Sequence, residues 1–251
     1  PYPPNKGDKV RSYHLLRHLI RKNRVFLGTF IDDPEDSQYL SVLNPLCSDV
    51  KAVMLNPKQA KIRSLNGLLA GEPLTLRYYR DANLQSWVDD TIRNQKIDAI
   101  VVFCSAMAQY VEKYTRIPTV VDFVDVDSAK WTQYADQHRW PMSWIYRREG
   151  ETLLSYERQV ARKTSRSFFV TEAEAALFTG MAPECKVRVE AICNGVDAEF
   201  FSPAQDIASP FPEDSEAIVF TGAMDYLPNC DAVSWFSKEV LPELTRQQPD
   251  R

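Results

Sequence analysis

The sequence predicts an α/β fold with a doubly wound, mostly parallel sheet. Short apolar segments alternate with helix-like patterns along most of the chain, as in βαβ units. One of these segments, residues 97–103, is almost uniformly apolar, which is typical of a strand buried on both faces. In such sheets ligands bind beyond the carboxyl ends of the strands. Residues that directly follow predicted strands are therefore the main functional candidates.

The elements can be predicted in chain order from apolar spacing and from turn residues. Prolines and Gly7 favour a turn at the start of the chain, and apolar residues recur at helical spacing over residues 11–21. The remaining helices are predicted at residues 35–43, 57–69, 81–94, 105–114, 128–137, 143–164 and 171–180. Strands are predicted at residues 25–31, 50–55, 74–77, 97–103, 118–123, 167–170 and 186–192.

A change in composition between residues 187 and 224 predicts a domain boundary. The last strand of the first part leads into Asn194-Gly195-Val196-Asp197, and a polar, proline-containing segment follows. A new apolar run at residues 217–222 predicts a buried strand, and a helix is expected from residue 228 with an end or kink at Pro242. We thus predict a first domain over residues 1–203, a linker over 204–216, and the beginning of a second domain over 217–251.

Composition argues against several functional classes. The 251 residues carry a net charge of −4, whereas general nucleic-acid binders are normally basic. The G-x-G-x-x-G, P-loop and G-x-S-x-G motifs are all missing from the sequence. Its three histidines form no metal-binding pattern, and its five cysteines are widely spaced without a CxxC pair. These features predict a cytoplasmic protein with reduced thiols and no zinc site, and they support no dinucleotide cofactor.

Carboxylates cluster directly after the predicted strand 118–123. Asp122, Asp125 and Asp127 form a D-x-x-D-x-D pattern in a loop where the fold places ligands. Such carboxylates could bind a divalent cation or accept hydrogen bonds from sugar hydroxyls. Alternatively, Asp127 or Ser128 only caps the following helix. The pattern supports both interpretations equally.

Two further groups of residues have a functional and a structural interpretation. Gly7, ahead of a helix, would let amide groups approach a phosphate or a sugar, although most such glycines only form turns. The basic residues around it could attract an anionic acceptor, but a solvated helix face is the more common explanation. Trp140, Trp144 and Tyr146 with nearby arginines suit a membrane interface, yet an apolar stripe along the same helix favours core packing.

Three stretches of this sequence resemble the glycosyltransferase family 4 type of GT-B enzyme. The most specific is Asn194-Gly195-Val196-Asp197 with Phe200-Phe201 and Pro203, which is similar to that family's N-G-V-D-x-x-x-F-x-P. The others are the opening Pro3/Pro4 with Gly7 and Arg11, and the segment from Phe220-Thr221-Gly222 to Asp231-Ala232. The DFVDVDSAKW stretch, residues 122–131, further resembles sugar transferases associated with exosortase and exopolysaccharide gene clusters.

The resemblance implies retaining, metal-independent transfer of a sugar from a nucleotide-sugar donor to a saccharide or lipid-linked acceptor. Apart from the resemblance, the basic run near Gly7 and the aromatic residues near Trp140 permit peripheral membrane contact, and the net charge of −4 argues against a nucleic-acid partner. The implied donor- or acceptor-binding residues are Gly7, Arg11, Asp122, Asp125, Asp127, Asn194 and Gly222. The resemblance establishes no catalytic residue in this chain. Asp125 is a candidate, but it follows Val124, which stands where the family often has histidine.

The family's paired glutamates, E-x7-E, belong to its second domain, of which only the start is present. We therefore expect the 251-residue chain alone to be inactive, and a preceding first strand to be missing from it. Two alternatives stay open: a nucleotide-sugar epimerase of GT-B fold, and a non-catalytic module that binds carbohydrate or lipid head groups. Continuation of the reading frame into about 150 further residues with an E-x7-E would favour the transferase.

Overall fold

A computed structural model shows an α/β chain with parallel strands, which confirms the predicted fold class at this level. The structure describes residues 1–202, 208, 210–212, 217–222, 224 and 227–247, without the side chains of Leu69, Leu227 and Pro228. The chain divides into two compact units, Pro1–Gly195 and Val196–Arg251. Among the described residues, no helix combines the length and the apolar character needed to cross a bilayer.

The first unit contains two parallel sheets. β1 (Phe26–Ile31) pairs with β2 (Asp49–Met54). The other sheet has the order β3-β4-β5-β6, and its strands are Ile100–Phe103, Thr119–Val124, Arg166–Phe169 and Val189–Ala191. Since these four strands are parallel, their carboxyl ends meet along one side, which we call the carboxyl edge.

Helices connect the strands of the first unit. The α-helices α1 to α9 are Gly7–Leu19, Leu40–Leu43, Pro57–Ser64, Asn66–Ala70, Leu74–Tyr78, Ala82–Asn94, Asp127–Gln137, Met142–Lys163 and Glu172–Met181. Short 3-10 helices cover Pro34–Tyr39, Ser105–Tyr110 and Pro183–Arg188. Most predicted helices therefore lie near their predicted positions, although those at 35–43 and 105–114 are largely 3-10 helix. The strand predicted at 186–192 is shorter, because its first residues also form a 3-10 helix.

The core of the larger sheet is aromatic. Phe123 of β4 and Phe169 of β5 stack with ring centroids 5.2 Å apart, and Phe178 of α9 lies 4.9 Å from Phe169. All three side chains are buried. Burying each contributes about 1.5–3 kcal/mol to folding. This packing fixes α9 against β4 and β5, and so it fixes the backbone that emerges at the carboxyl edge.

The prediction of a strand at residues 74–77 is wrong, because this segment is helix α5. The buried carboxylate of Glu149, on α8, accepts hydrogen bonds from the backbone N–H of Leu74 (2.6 Å) and of Thr75 (2.9 Å). It also accepts one from the Thr75 hydroxyl at 2.8 Å. A carboxylate at a helix N-terminus satisfies free amides and interacts favourably with the helix dipole. The cap comes from a distant part of the chain, so local spacing could not show it.

A second buried carboxylate on α8 holds the start of α7. Glu157 is fully buried and accepts hydrogen bonds from Ser128, at 2.5 Å from the hydroxyl and 3.3 Å from the backbone N–H. Burial raises the pKa of Glu157 to about 8, although the hydrogen bonds from Ser128 oppose the shift. At neutral pH this carboxyl group is therefore largely protonated.

α7 and α8 approach each other most closely at Gly150. A Cβ atom at this position would lie 2.5 Å from the Thr132 hydroxyl oxygen and 3.0 Å from the Ser128 carbonyl oxygen. The first distance is shorter than real Cβ contacts and the second is at the tight limit, so a side chain here would force Thr132 or the α7 backbone to shift.

Two tryptophans for which core packing was the favoured prediction are exposed. Trp140, between α7 and α8, is 80% exposed, and Trp144 in the first turn of α8 is 55% exposed. Tyr146, in contrast, packs against Trp131 with ring centroids 5.4 Å apart. The apolar stripe of α8 does pack into the core at Leu153 and Val160, but Trp144 in its first turn lies outside the core.

The predicted buried strand at residues 217–222 is also wrong. These residues have no regular secondary structure, and Ile218, Val219 and Phe220 are between 48% and 62% exposed. A strand requires a ladder partner, and none pairs with this segment in the described part of the chain. The linker prediction for residues 204–216 falls largely outside the described residues.

In the second unit, the described residues from 227 to 247 are helical. α10 (Leu227–Trp235) continues as a π-helical turn, Phe236–Val240, into α11 (Leu241–Gln247). Pro242 lies in the first turn of α11, where its missing N–H costs little. The predicted break at this proline thus takes the form of a change in helix type.

We expect Gly150→Ala to lower stability by about 1–3 kcal/mol, because the added methyl group overpacks the α7–α8 crossing. Urea unfolding measures the change. Gly180→Ala is the matched control, since a Cβ there has no neighbour within 4 Å and lies in helix α9. Equal stabilities for the two variants would show that the crossing tolerates a side chain.

We expect Glu157→Gln to become more stable relative to the wild type as pH rises. The pKa of Glu157 is raised from its ordinary value of 4.5 to about 8 in the folded state. As pH rises through this range, the unfolded chain ionises first, so the wild-type protein loses stability. Glutamine cannot ionise and can keep both contacts to Ser128. Melting temperatures measured across this window should diverge for this variant and stay parallel for Glu151→Gln, an exposed position on the same helix.

Candidate functional site

Arg11 joins three parts of the first unit at the carboxyl edge. Its guanidinium group donates to both carboxylate oxygens of Asp122 on β4, at 2.8 and 3.2 Å. The same group donates to the backbone carbonyl of Ile192, just beyond β6, at 2.8 Å, and to the Asn194 side-chain oxygen at 2.9 Å. The structure thus brings together three of the predicted site residues, Arg11, Asp122 and Asn194.

The Arg11–Asp122 pair is well shielded from solvent. The Arg11 side chain is 10% exposed and that of Asp122 is 7% exposed. Planar, two-point contact between guanidinium and carboxylate is the strongest geometry for such a pair. Asp122 also accepts a hydrogen bond from the backbone N–H of Val124 at 3.2 Å. These two side chains hold the backbone of the edge, and neighbouring groups are more open to a ligand.

Two strained residues lie at the ends of adjacent strands. Val124, at the end of β4, has φ 69°, and Cys104, directly after β3, has φ 64°. The Asp125 N–H donates to the Phe123 carbonyl at 2.9 Å, which closes a tight γ-turn around Val124. Positive φ is rare for a β-branched residue and costs about 1–3 kcal/mol. Such strain concentrates at functional sites, where the surrounding structure maintains it.

The loop after β4 presents two of the predicted carboxylates beside a lysine. Lys130 of α7 contacts Asp125 at 2.7 Å and Asp127 at 3.6 Å. The Asp125 and Asp127 side chains are 34% and 35% exposed, and that of Lys130 is 46% exposed. Burial raises the pKa of Asp127, while Lys130 opposes the shift. These three groups can therefore reach a ligand.

Glu174 determines the path of this loop. Thr171 and Glu174 have the T-x-x-E spacing of a capping box, and the Thr171 hydroxyl does accept from the Glu174 N–H at 3.1 Å. The Glu174 carboxylate, however, accepts from the backbone N–H of Val126 at 2.7 Å and so does not reach back to its own helix start. It fixes the loop between Asp125 and Asp127 instead.

The chemistry of this edge is that of hydrogen bonding to a polar ligand. Carboxylates accept from hydroxyl groups, and the lysine donates to hydroxyl or phosphate oxygens. Among the described residues, no group of three or more histidine, cysteine, aspartate or glutamate side chains is arranged to hold a metal ion. The loop aspartates instead share Lys130, which leaves the cation-binding interpretation without support here.

The two predicted glycines lie apart from this cluster in the chain. Gly7 is the first residue of α1 and belongs to the helix, whereas the sequence predicted a loop there. In the described part of the chain, no atom outside its own stretch of helix lies within 4 Å of a Cβ placed on it, so there is space beside it for a ligand atom. Lys9, two residues further along α1, forms an ion pair with Asp36. Gly222 belongs to the second unit, where a Cβ would approach the Asn229 side chain at 2.8 Å.

The E-x7-E spacing does occur in this chain, at Glu149 and Glu157 of α8, although the sequence interpretation took it to be missing. Both side chains are buried, with 1% and 0% exposure, and both are occupied as caps of α5 and α7. They cannot contact a ligand in this conformation. The spacing here has a structural role.

Sequence reasoning missed Cys104, Lys130 and Glu174 as parts of this region. Lys130 had a signal, since it follows Asp127 by three residues and thus shares its face of α7. Cys104 had none, because its conformation is set by packing, and burial raises the pKa of its thiol to about 12. This thiol stays protonated at neutral pH and is a poor nucleophile.

A separate cavity of about 730 Å³ lies among α5, α6, α8 and the 105–110 turn. Its lining includes Arg80, Gln109, Glu112 and Tyr156. The Tyr156 hydroxyl is buried and makes no hydrogen bond to the described residues. Burial and the nearby Glu112 carboxylate raise its pKa. The cavity is a second place where the first unit offers polar groups to a small molecule.

We expect Arg11→Ala to destabilise the protein by about 3–5 kcal/mol, because it leaves the Asp122 carboxylate buried without a partner. Adding Asp122→Asn should recover part of the loss, and urea unfolding of the single and double variants measures the coupling. Arg147→Ala is the control, since its pair with Asp136 is exposed and such pairs contribute less than about 1 kcal/mol. Additive effects of Arg11→Ala and Asp122→Asn would contradict this interpretation.

The candidate site thus has two parts in the first unit. Arg11, Asp122 and Asn194 form one hydrogen-bonded group. Asp125, Asp127 and Lys130 form a second group, in the loop after β4 and the first turn of α7. A scan of protein-family models and a search of curated proteins both found no match to this chain.

Proposed function

We propose that this chain belongs to a nucleotide-sugar-dependent glycosyltransferase of GT-B architecture. The first unit would be the acceptor-side domain, and the residues from 217 onward the beginning of the donor domain. The observation that carries the proposal is the carboxyl edge, where strained turns at Cys104 and Val124 adjoin an exposed carboxylate–lysine group. The stretches that resemble family 4 glycosyltransferases add to this support. The predicted domain bounds, 1–203 and 217–251, are part of the same proposal.

Exposure divides the proposed roles among the residues of the edge. Asp125 and Lys130 are a third to a half exposed, so we assign them to contacts with sugar hydroxyls. Arg11 and Asp122 are almost fully shielded, so we assign them to positioning the loop and Asn194. Asp127 begins α7 and lies close to Lys130, which keeps it within reach of the same ligand.

The proposed reaction requires no group beyond the two substrates. The bond between the donor sugar and the nucleotide breaks, the acceptor oxygen forms the new glycosidic bond, and the acceptor proton leaves with the nucleoside diphosphate. The chain's own groups would orient the sugar and stabilise charge that develops on it. Preorganised hydrogen-bonding groups of this kind are commonly the largest contribution to catalysis.

Acceptor-dependent release of nucleoside diphosphate tests the proposal. The full-length gene product is incubated with UDP-glucose, UDP-galactose, UDP-N-acetylglucosamine or GDP-mannose, with free saccharides or polyprenyl-linked saccharides as acceptors. We expect turnover with one donor class, and a loss of roughly 100-fold in kcat for Asp125→Asn, because one preorganised contact is removed. Asp90→Asn, an exposed change on α6, should leave turnover unchanged.

Three results would overturn the proposal. One is the lack of acceptor-dependent release with every donor, and another is normal turnover of Asp125→Asn. The third is interconversion of free nucleotide sugars without an acceptor, which would identify an epimerase. Saccharide binding without any turnover would instead favour a non-catalytic binding module.

A further inference from the structure

We propose that the turn between α7 and α8 docks onto an anionic lipid bilayer. We define the hairpin tip as residues 134–147, which comprise the end of α7, the connection and the start of α8. This surface belongs to the first unit. The inference does not depend on the proposed glycosyl transfer, because it concerns where the protein binds and not which reaction it performs.

The hairpin tip exposes four large apolar side chains within a short stretch of sequence. Trp140 is 80% exposed, Trp144 55%, Tyr134 42% and Met142 38%. Every residue from 136 to 142 is exposed, so the whole connection is accessible to a partner surface. Tryptophan and tyrosine, with an apolar body and a polar edge, are the residues that concentrate at membrane–water interfaces.

The inner side of the tip is ordered by aromatic packing. Tyr146 contacts Trp131, Tyr134 and His138, with ring centroids 5.4, 6.2 and 5.1 Å apart. The His138 ring nitrogen Nδ1 lies 2.7 Å from the Tyr134 carbonyl oxygen. Trp140 and Trp144 are therefore held outward on a packed base, and their exposure does not result from a loose end.

The charges of the tip favour an anionic surface. Arg139 and Arg147 are exposed beside the tryptophans, and the one acidic neighbour within the tip is Asp136, which lies 3.2 Å from Arg147. That ion pair is itself exposed, with side chains 60% and 68% accessible, so it can open toward phosphates. Basic residues next to exposed aromatics are the combination that binds acidic lipid head groups.

The small number of exposed apolar side chains favours a bilayer over a protein partner. Protein interfaces need a surface that matches the partner and buries a large area, whereas the tip exposes a few large apolar side chains on one short turn. A bilayer can accept a few inserted side chains without a preformed pocket, because lipids rearrange around them. Insertion would be shallow, limited to the depth of the interfacial tryptophans.

Sedimentation with lipid vesicles tests the proposal. The wild-type protein is mixed with vesicles of phosphatidylcholine alone or with added phosphatidylglycerol, and we expect binding to the anionic vesicles that weakens in high salt. The variant Trp140→Ser/Trp144→Ser should bind at least about tenfold more weakly, since the loss of both side chains removes more than 1.4 kcal/mol of interfacial transfer. Arg139→Ser/Arg147→Ser should lose the preference for phosphatidylglycerol.

Trp235→Ser is the matched control, because this tryptophan is 61% exposed but lies in the second unit. It should bind vesicles like the wild type. All of these changes are at exposed positions, and unchanged melting temperatures will confirm folding. The proposal is overturned if the wild type binds neither vesicle or if the double tryptophan variant binds normally. It is also overturned if the wild type self-associates without lipid and that variant does not, since the tip would then join two copies.

Discussion

The bidentate ion pair between Arg11 and Asp122 is the constraint on which the carboxyl edge depends. A charge this well shielded is stable only when its partner and its remaining hydrogen bonds are supplied. Arg11 provides donors in a planar fork, so one side chain of α1 holds β4, the Ile192 carbonyl and Asn194 at fixed spacing. Lysine could not make this set of contacts. The edge is thus built around a helix that is distant from it in sequence.

Buried or half-buried glutamates repeat the same principle at three other places. Glu149 caps α5, Glu157 caps α7, and Glu174 holds the loop that contains Val126. Each carboxylate satisfies backbone amides that belong to another part of the chain, and each therefore determines a backbone path that local sequence leaves undecided. Because these three glutamates already accept hydrogen bonds from backbone N–H groups, we assign them no contact with a ligand. The exposed Asp125 and Lys130 are what the edge offers to a ligand.

Helix α7 connects the two surfaces for which we propose ligands. It begins at Asp127, beside the carboxylate–lysine group, and ends at Gln137 in the hairpin tip. At 1.5 Å per residue this separates the two regions by roughly 15 Å. The close crossing at Gly150 and the Glu157 cap keep α7 rigidly attached to α8. A membrane-bound tip would therefore hold the carboxyl edge at a short, fixed distance from lipid head groups.

The sequence by itself determined the alternation of strands and helices, the parallel α/β class, and the carboxylate loop after β4, because apolar periodicity and strand-end residues are local signals. The tertiary structure alone decided the rest. Residues 74–77 have a strand-like pattern but form a helix, since its cap comes from Glu149. Val124 and Cys104 adopt positive φ, a conformation that their residue types disfavour and that local sequence does not predict. The apolar pattern favoured core positions for Trp140 and Trp144, but the core does not extend as far as these residues, and both are exposed. Contacts between distant residues cannot be derived from spacing along the chain, and those contacts determine the geometry of the candidate site.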